Sequence, residues 1–200
     1  MPKPYTPNDK WSRKAASEGF RARSVYKLQE LDERYHLFGP GMKVMDIGAA
    51  PGSWLQYSEK AAGPGGKIVG IDLKPIESLG PQVITVICDI FDPEALEQAL
   101  EKAGLSRFDL ILSDLAPNTS GIKDVDQWRS LELNRQVLKI AALHLGPKGT
   151  VVLKVFRGRD FDVFIKELKG RFRILKVASV RASRDRSREV YLVCRDVLRK

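Results

Sequence analysis

The sequence predicts an α/β fold in which a mostly parallel sheet has helices on both faces. Short apolar runs alternate with helical patterns along the chain. The runs are almost continuous in Val, Ile and Leu, which is typical of parallel strands buried on both faces. The last two runs lie too close together for a crossover helix, so they predict an antiparallel hairpin.

The predicted elements follow one another in a regular order. Apolar residues at helical spacing in residues 24–38 predict a helix with Ser24 at its N-cap, and "GPG" at 39–41 ends it. Strands are predicted in the segments KVMDIG (43–48), KIVGIDL (67–73), QVITVICDI (82–90), FDLILSDL (108–115), GTVVLKVF (149–156), FRILKVASV (172–180) and REVYLVCR (188–195). Helices are predicted between them at residues 53–62, 93–103, 126–145 and 161–168.

Length and composition favour one soluble globular domain. The 200 residues are 43% hydrophobic and 30% charged. No run approaches the roughly 20 apolar residues of a membrane span, and the N-terminal stretch has no apolar core of a secretory signal. We therefore expect a cytoplasmic, monomeric protein with a single domain over residues 1–200. Within it, residues 1–38 would form a basic extension and helix, and residues 42–196 the sheet.

Cysteine and histidine are too scarce for a metal centre. Cys88 and Cys194 each end an apolar run, which is typical of small core residues in a reducing compartment. His36 and His144 are far apart in the sequence. No metal is expected.

The charge distribution suggests a polyanionic partner. The net charge is +5 over residues 1–29, −5 over residues 30–153 and +9 over residues 154–200. The two ends are rich in Arg and include aromatic residues, which favours nucleic acid over a surface charged only for solubility. The candidate RNA contacts are Arg13, Lys14, Arg21, Arg23, Arg157, Arg159, Arg181, Arg184, Arg186 and Arg188.

A glycine-rich turn after the first strand predicts a ligand site. In "MDIGAAPGSW" (45–54), Asp46 ends the strand and a helix opens near Ser53. Gly48 and Gly52 would let a ligand approach the backbone beside the free N–H groups of the helix. The spacing differs from the dinucleotide-binding pattern. A tight strand–helix turn without a ligand is the structural alternative.

Acidic residues end several strands on the same edge of the predicted sheet. Asp72 ends the second strand, where a carboxylate can accept both ribose hydroxyls of a nucleoside cofactor. Asp89 and Asp114 end the third and fourth strands. Each alone could be a cap or a turn residue. Together their negative charge favours a cationic cofactor over a phosphate-rich one.

Lys154 is out of place in its strand. It interrupts the apolar run "TVVLKVF" (150–156), and lysine is rarely buried without a partner. Glu189 begins the neighbouring hairpin strand and offers a carboxylate. Lys27 alone would be an ordinary lysine on a helix surface.

The ordered set of these motifs closely resembles the FtsJ/RrmJ ribosomal RNA 2′-O-methyltransferases. It comprises Lys27, "DIGAAPGSW", "GIDL", "CDI", "SDLAPN", "VVLKVF" and "SREVYLV", and it extends from about residue 8 to residue 195. The resemblance implies the Rossmann-like S-adenosylmethionine-dependent methyltransferase fold, with seven strands of which the last is antiparallel. It also implies methylation of a uridine in the A-loop of 23S rRNA within the large (50S) subunit.

The resemblance assigns roles to individual residues. It implies a catalytic tetrad of Lys27, Asp114, Lys154 and Glu189. It implies that S-adenosylmethionine is bound by the glycine-rich turn, through Gly52 and Trp54 together with Asp46, Gly48, Pro51 and Ser53. It also implies contacts from Asp72, Asp89 and Asp114 at the ends of later strands. Lys154 has two open roles. If neutral, it would take the proton of the ribose hydroxyl; if charged, it would orient the hydroxyl and stabilise the oxyanion.

Other functions remain as alternatives. A nicotinamide dehydrogenase would share the turn and Asp72 but would leave Lys27 and Glu189 without a role. A base methyltransferase would have a different turn after the fourth strand or a cysteine nucleophile in a loop. A tRNA 2′-O-methyltransferase and a non-catalytic RNA-binding assembly factor complete the set. DNA is excluded as a substrate of 2′-O-methylation because it lacks the 2′-hydroxyl.

Overall fold

The computed structural model describes residues 10–183 and 188–198, and its seven strands form one sheet. The strands are β1 (Lys43–Ile47), β2 (Lys67–Asp72), β3 (Val83–Ile87), β4 (Phe108–Ser113), β5 (Leu145–Phe156), β6 (Phe172–Ala178) and β7 (Glu189–Val197). The helices are α1 (Lys10–Ser17), α2 (Val25–Tyr35), α3 (Ser53–Ala62), α4 (Pro93–Lys102), α5 (Lys123–His144) and α6 (Phe161–Lys169).

The strand order is β3-β2-β1-β4-β5-β7-β6. The first five strands pair in parallel, and β7 is antiparallel to both β5 and β6. This confirms the predicted fold and the terminal hairpin. Because the carboxyl ends of β1 to β5 lie on one edge, the residues that follow them converge there, together with the start of β7.

Helices cover both faces of the sheet, as predicted. On one face, Leu28 of α2 and Leu55 of α3 pack in one apolar cluster with Val44 of β1. On the other face, α4, α5 and α6 pack against strand residues that include Met45. Successive residues of β1 therefore point to opposite faces, and both are buried. No helix in the described part of the chain has the length and apolarity that crossing a membrane requires.

The N-terminal region differs from the sequence prediction. The pattern did not predict α1, whose Ala15 is buried against Val25 and Tyr26 of the next helix. Tertiary packing rather than local periodicity therefore explains this short helix. Ser24 occupies the N-cap position of α2 but makes no side-chain capping bond. Its Oγ instead lies 2.9 Å from Oγ of Ser53.

The longest helix begins earlier than predicted. α5 starts at Lys123, and the Asp126 amide donates to the carbonyl of Ile122 at 3.0 Å. The Asp126 carboxylate, within the first turn, accepts from the amide of Ser120 at 2.6 Å and of Gly121 at 3.2 Å. It therefore fixes the turn before the helix. β5 also starts early, because Leu145 pairs with Phe108 before a register shift and regular pairing resumes at Thr150.

The end of β5 contacts α5 where β4 has already ended. The β4–β5 pairing stops at Ser113 and Leu153. Beyond it, the side-chain amide of Asn134 donates to the carbonyl of Lys154 at 2.8 Å. The Phe156 amide donates to the hydroxyl of Ser130 at 3.2 Å. Two side chains of α5 thus satisfy backbone groups that a longer β4 would otherwise pair.

Candidate active site

Lys154 and Asp114 form a buried ion pair at the carboxyl edge of the sheet. Asp114 directly follows β4, and Lys154 lies on the neighbouring β5. Nζ of Lys154 is 3.0 Å from Oδ1 of Asp114 and donates to the Asp114 carbonyl at 2.5 Å. Only 7% of Lys154 is exposed. The apolar run tolerates this lysine because the carboxylate of Asp114, just beyond the end of the neighbouring strand, compensates its charge.

Lys27 and Glu189 form a second ion pair beside the first. Nζ of Lys27, on α2, is 2.6 Å from Oε1 of Glu189, the first residue of β7. The Ser183 hydroxyl donates to the same carboxylate oxygen at 2.5 Å. The β5–β7 register opposes Glu189 to Phe156, two residues beyond Lys154. The four predicted tetrad residues therefore lie together as two pairs.

Tyr191 is a further member of the site that the sequence analysis missed. It lies opposite Lys154 in the β5–β7 register, and its hydroxyl donates to Oδ1 of Asp114 at 2.6 Å. Nζ of Lys27 is 5.9 Å from the centroid of its ring. Tyr191 therefore contacts both pairs. Its position two residues after Glu189, on the same face of β7, was the available indication.

The two pairs keep their carboxylates ionised. Burial alone would raise the pKa of Asp114, but the charges of Lys154 and Lys27 lower it below its usual value. At Glu189, burial likewise acts to raise the pKa, but the charge of Lys27 outweighs it, so the pKa of this carboxyl is also lowered. Burial, with the nearby Asp114 and Glu189, raises the pKa of Tyr191 well above its usual range. Tyr191 is thus a neutral hydrogen-bond donor at neutral pH.

The glycine-rich turn lies between β1 and α3. Gly48 has a φ of 81°, and a Cβ there would meet the Leu115 side chain at 2.5 Å. Glycine therefore suits both its conformation and the close approach. The Ala50 amide donates to Oδ2 of Asp72 at 2.9 Å, so the carboxylate at the end of β2 holds the turn. Pro51 is exposed in this turn, and its peptide bond with Ala50 is cis.

Asp46 has a buried carboxylate with no hydrogen-bond partner among the described residues. Only 1% of the residue is exposed. Burial, then the charges of Asp114 and Asp72, raise its pKa well above the usual value. An unpartnered acid beside two other acids is a suitable neighbour for a cationic ligand.

The remaining predicted cofactor residues differ in exposure. Asp89 is exposed beyond β3 and accepts from the Phe91 amide at 2.9 Å. Trp54 is buried, and its indole donates to the carbonyl of Ser24 at 2.7 Å. Its ring centroid lies 6.0 Å from that of Tyr191. Trp54 therefore packs beside Tyr191, and Gly52 and Ser53 next to it in the sequence are also buried.

The predicted RNA-binding residues are mostly exposed, and several flank the tetrad. Arg157 and Arg159 follow β5, and the Arg157 amide donates to the carbonyl of Arg188 at 2.9 Å. Arg181 is exposed between β6 and β7. Arg13 and Lys14 are exposed on α1, and Arg21, Arg23 and Arg188 are partly buried. Arg184 and Arg186 lie outside the described residues.

Comparison with known proteins identifies the family. A model of the FtsJ-like methyltransferases matches residues 20–197, which include all four tetrad residues. The chain belongs to the FtsJ-like methyltransferase family. The resemblance of the sequence motifs is thereby confirmed, and so is the prediction of an enzyme. The dehydrogenase alternative is excluded for this FtsJ-like methyltransferase.

Curated relatives extend over most of the FtsJ-like methyltransferase. It is similar to the protein called ribosomal RNA large subunit methyltransferase E in Anaeromyxobacter dehalogenans, with 46% identity over 96% of this chain and 72% of that protein. The protein of the same name in Syntrophobacter fumaroxidans is 42% identical over 94% of this chain and 95% of its own length. The Acinetobacter baumannii protein of this name is 44% identical over 93% and 86%.

Solved structures share the fold of the FtsJ-like methyltransferase. A Plasmodium falciparum protein described as a ribosomal RNA methyltransferase superposes with a TM-score of 0.81 and 29% identity, over 90% of this chain and all of that one. A chain of a fibrillarin/Nop5p complex superposes with a TM-score of 0.61 and 21% identity, over 85% of this chain and 80% of that one. The second likeness shows the fold alone.

Proposed function

We propose that this enzyme transfers the methyl group of S-adenosylmethionine to a ribose 2′-oxygen of large-subunit ribosomal RNA. A uridine in the A-loop of 23S rRNA, within the 50S subunit, is the proposed target. The observation that supports this most directly is Lys154, buried beside Asp114 at the sheet edge that also holds the glycine-rich turn. The names of the bacterial relatives support the ribosomal RNA substrate.

The residues at the edge of the sheet fit a cationic nucleoside cofactor. S-adenosylmethionine would supply a methyl group on a positively charged sulfur. Asp114 is ionised and would place negative charge near that sulfur, and the buried Asp46 would lose its proton beside the bound cation. Asp72 would accept from the ribose hydroxyls, and Asp89 would lie on the adenine side, where Phe91 is 56% exposed. Gly48, Pro51, Gly52, Ser53 and Trp54 would shape the turn that holds the methionine end.

Lys154 would act on the target hydroxyl. The ribose 2′-oxygen would take the methyl group supplied by the cofactor, and the carbon–sulfur electron pair would stay on sulfur. The hydroxyl must lose its proton as the new bond forms. We propose that Nζ of Lys154, held beside Asp114, accepts this proton.

The other tetrad residues would hold Lys154 and the ribose in place. Asp114 fixes Nζ of Lys154 through both its carboxylate and its carbonyl, while Tyr191 fixes the carboxylate. Lys27 and Glu189 form the adjoining wall, with donors and acceptors for ribose hydroxyls. We propose that the exposed arginines around this wall contact RNA phosphates on either side of the target.

The test is transfer of labelled methyl groups to undermethylated large subunits, with naked rRNA and tRNA as comparison substrates, followed by mapping of the modified ribose. We expect label on one ribose 2′-oxygen of the large-subunit RNA. Label on tRNA alone would favour the tRNA alternative. No transfer to any substrate would favour a non-catalytic assembly factor.

Lys154→Met, measured in the same methyl-transfer assay, tests the central residue of the proposed site. We expect methyl transfer to fall by at least 100-fold, because proton transfer to a positioned base contributes about 10²–10⁴-fold. The affinity for S-adenosylhomocysteine should change less than about threefold. The matched control is Lys148→Met, an exposed lysine of the same strand at the opposite edge of the sheet. Near-normal transfer by Lys154→Met would contradict the assignment.

A further inference from the structure

The segment that joins α1 to α2 is bonded to the first turn of α3. The Arg21 amide donates to the side-chain oxygen of Gln56 at 2.9 Å, and the Gln56 amide group donates back to the carbonyl of Gly19 at 2.9 Å. The hydroxyls of Ser24 and Ser53 are 2.9 Å apart, and the Trp54 indole donates to the Ser24 carbonyl. This basic segment is therefore fixed against the glycine-rich turn.

The Arg21 side chain joins two further segments. Its Nη1 donates to the carbonyl of Pro51 at 3.1 Å and to that of Glu77 at 2.9 Å. Its Nη2 donates to the carbonyl of Ser78 at 2.9 Å. A Cβ on Gly52 would lie 2.8 Å from Nη1, so the guanidinium packs directly against the turn. Only 19% of the side chain is exposed.

The glycine-rich turn is thus held at two successive residues. The Ala50 amide donates to Asp72, and the Pro51 carbonyl accepts from Arg21. The other two carbonyls bound by Arg21 belong to residues 77 and 78, in the connection that follows Asp72. One guanidinium therefore fixes the turn relative to the chain that leaves the end of β2.

We infer that Arg21 is a positioning residue for the cofactor-binding turn, and not a contact for RNA phosphates. This inference rests on the proposed cofactor site. The planar guanidinium directs its donors along several fixed directions, and three of them reach carbonyls here. A phosphate contact would have to compete with those bonds. An ammonium is a single point donor group, so lysine cannot reproduce the fork that spans both segments.

The experiment compares Arg21→Lys with Arg13→Ala, an exposed arginine of α1. The first measurement is the affinity for S-adenosylhomocysteine without RNA, by calorimetry. We expect Arg21→Lys to raise Kd by about tenfold or more, a loss of about 1.4 kcal/mol in binding free energy, because the turn is no longer held in its binding conformation. Arg13→Ala should leave this Kd unchanged.

The second measurement is the salt dependence of RNA binding by the same proteins. Arg21→Lys keeps the charge, so we add Arg21→Gln, which removes it. The slope of log RNA affinity against log salt concentration should be the same for Arg21→Gln as for the wild type. Arg13→Ala should reduce the slope by about one unit. A normal cofactor Kd together with a reduced slope for Arg21→Gln would overturn the inference.

Two controls keep the result interpretable. Amide hydrogen exchange of the cofactor-free proteins should be faster at residues 49–53 and 76–79 in Arg21→Lys and unchanged elsewhere, which separates local loosening from unfolding. Exchange that is unchanged at both segments would contradict the inference. A wild-type protein that fails to bind S-adenosylhomocysteine would instead overturn the proposed function on which the inference depends.

Discussion

The carboxylate of Asp46 is buried at the end of β1, and neither oxygen has a hydrogen-bond partner among the described residues. Burial, Asp114 and Asp72 all favour its neutral form and raise its pKa. In the unfolded chain the same group ionises in the usual range. As pH rises from that range through the raised pKa, the unfolded state loses its proton first, so this group removes stability.

Asp46→Asn tests this residue. The amide has no proton to lose, so we expect Tm of the cofactor-free protein to exceed that of the wild type by about 4 °C at pH 7.5. The difference should shrink as pH falls towards 4, because the wild-type carboxyl becomes neutral there. Thermal unfolding between pH 4.5 and 8 measures both. A difference that does not depend on pH would show that Asp46 does not titrate as described.

The same variant should bind S-adenosylhomocysteine normally and S-adenosylmethionine more weakly, because only the latter has the sulfonium charge.

At the scale of elements, α5 completes the hydrogen bonding of β5 where β4 is too short. Asn134 and Ser130 bond to the backbone on either side of Val155, next to Lys154. Both residues are buried and lie one turn apart on the same face of the helix. The position of the lysine thus depends on a helix whose sequence contains no catalytic motif.

Asn134→Ala tests this contact. The change leaves the buried Lys154 carbonyl without a partner, which costs about 1–3 kcal/mol in the free energy of unfolding. Urea denaturation should detect the loss. Lys139→Ala, an exposed position of the same helix, should change stability by less than about 0.5 kcal/mol. Equal effects of the two substitutions would contradict the role given to Asn134.

The elements also show which parts of the fold local sequence determines. The bounds of α3 agree with the prediction because its glycine-rich start, helical spacing and terminal glycine coincide. The sequence pattern did not predict α1 because tertiary packing, rather than local periodicity, stabilises this helix. It did not identify Tyr191 as a site residue because an aromatic side chain in an apolar strand usually belongs to the core. Its hydroxyl gains a role only from Asp114, 77 residues earlier in the chain.

Across the whole molecule, positive charge concentrates in the regions that flank the candidate site. The central residues 30–153 are net acidic, while both ends are basic. The resemblance of the motifs to the family predicted the four tetrad residues, but it gave no information on whether each nearby arginine was available for RNA. Arg21 and Arg157 show the difference, since the former is bound to carbonyls and the latter is exposed.

Salt dependence tests the basic rim. Arg157→Ala combined with Arg159→Ala should reduce the slope of log affinity against log salt by about 1.5, because two phosphate contacts are lost. Filter binding to the RNA methylated in the transfer assay measures this slope. The control is Lys139→Ala with Lys169→Ala, two exposed lysines on α5 and α6. An equal reduction in both double variants would indicate diffuse attraction rather than a rim.

The position of β7 between β5 and β6 has a consequence for biosynthesis. A ribosome makes β7 after the six other strands, yet β7 inserts between β5 and the edge strand β6 and brings Glu189 and Tyr191. Before residue 197 is available, β6 has no neighbour in the sheet and Lys27 lacks its carboxylate. The nascent chain can therefore assemble its glycine-rich half early, as domains tend to form from the N-terminus. Competence to modify RNA has to wait for the final strand.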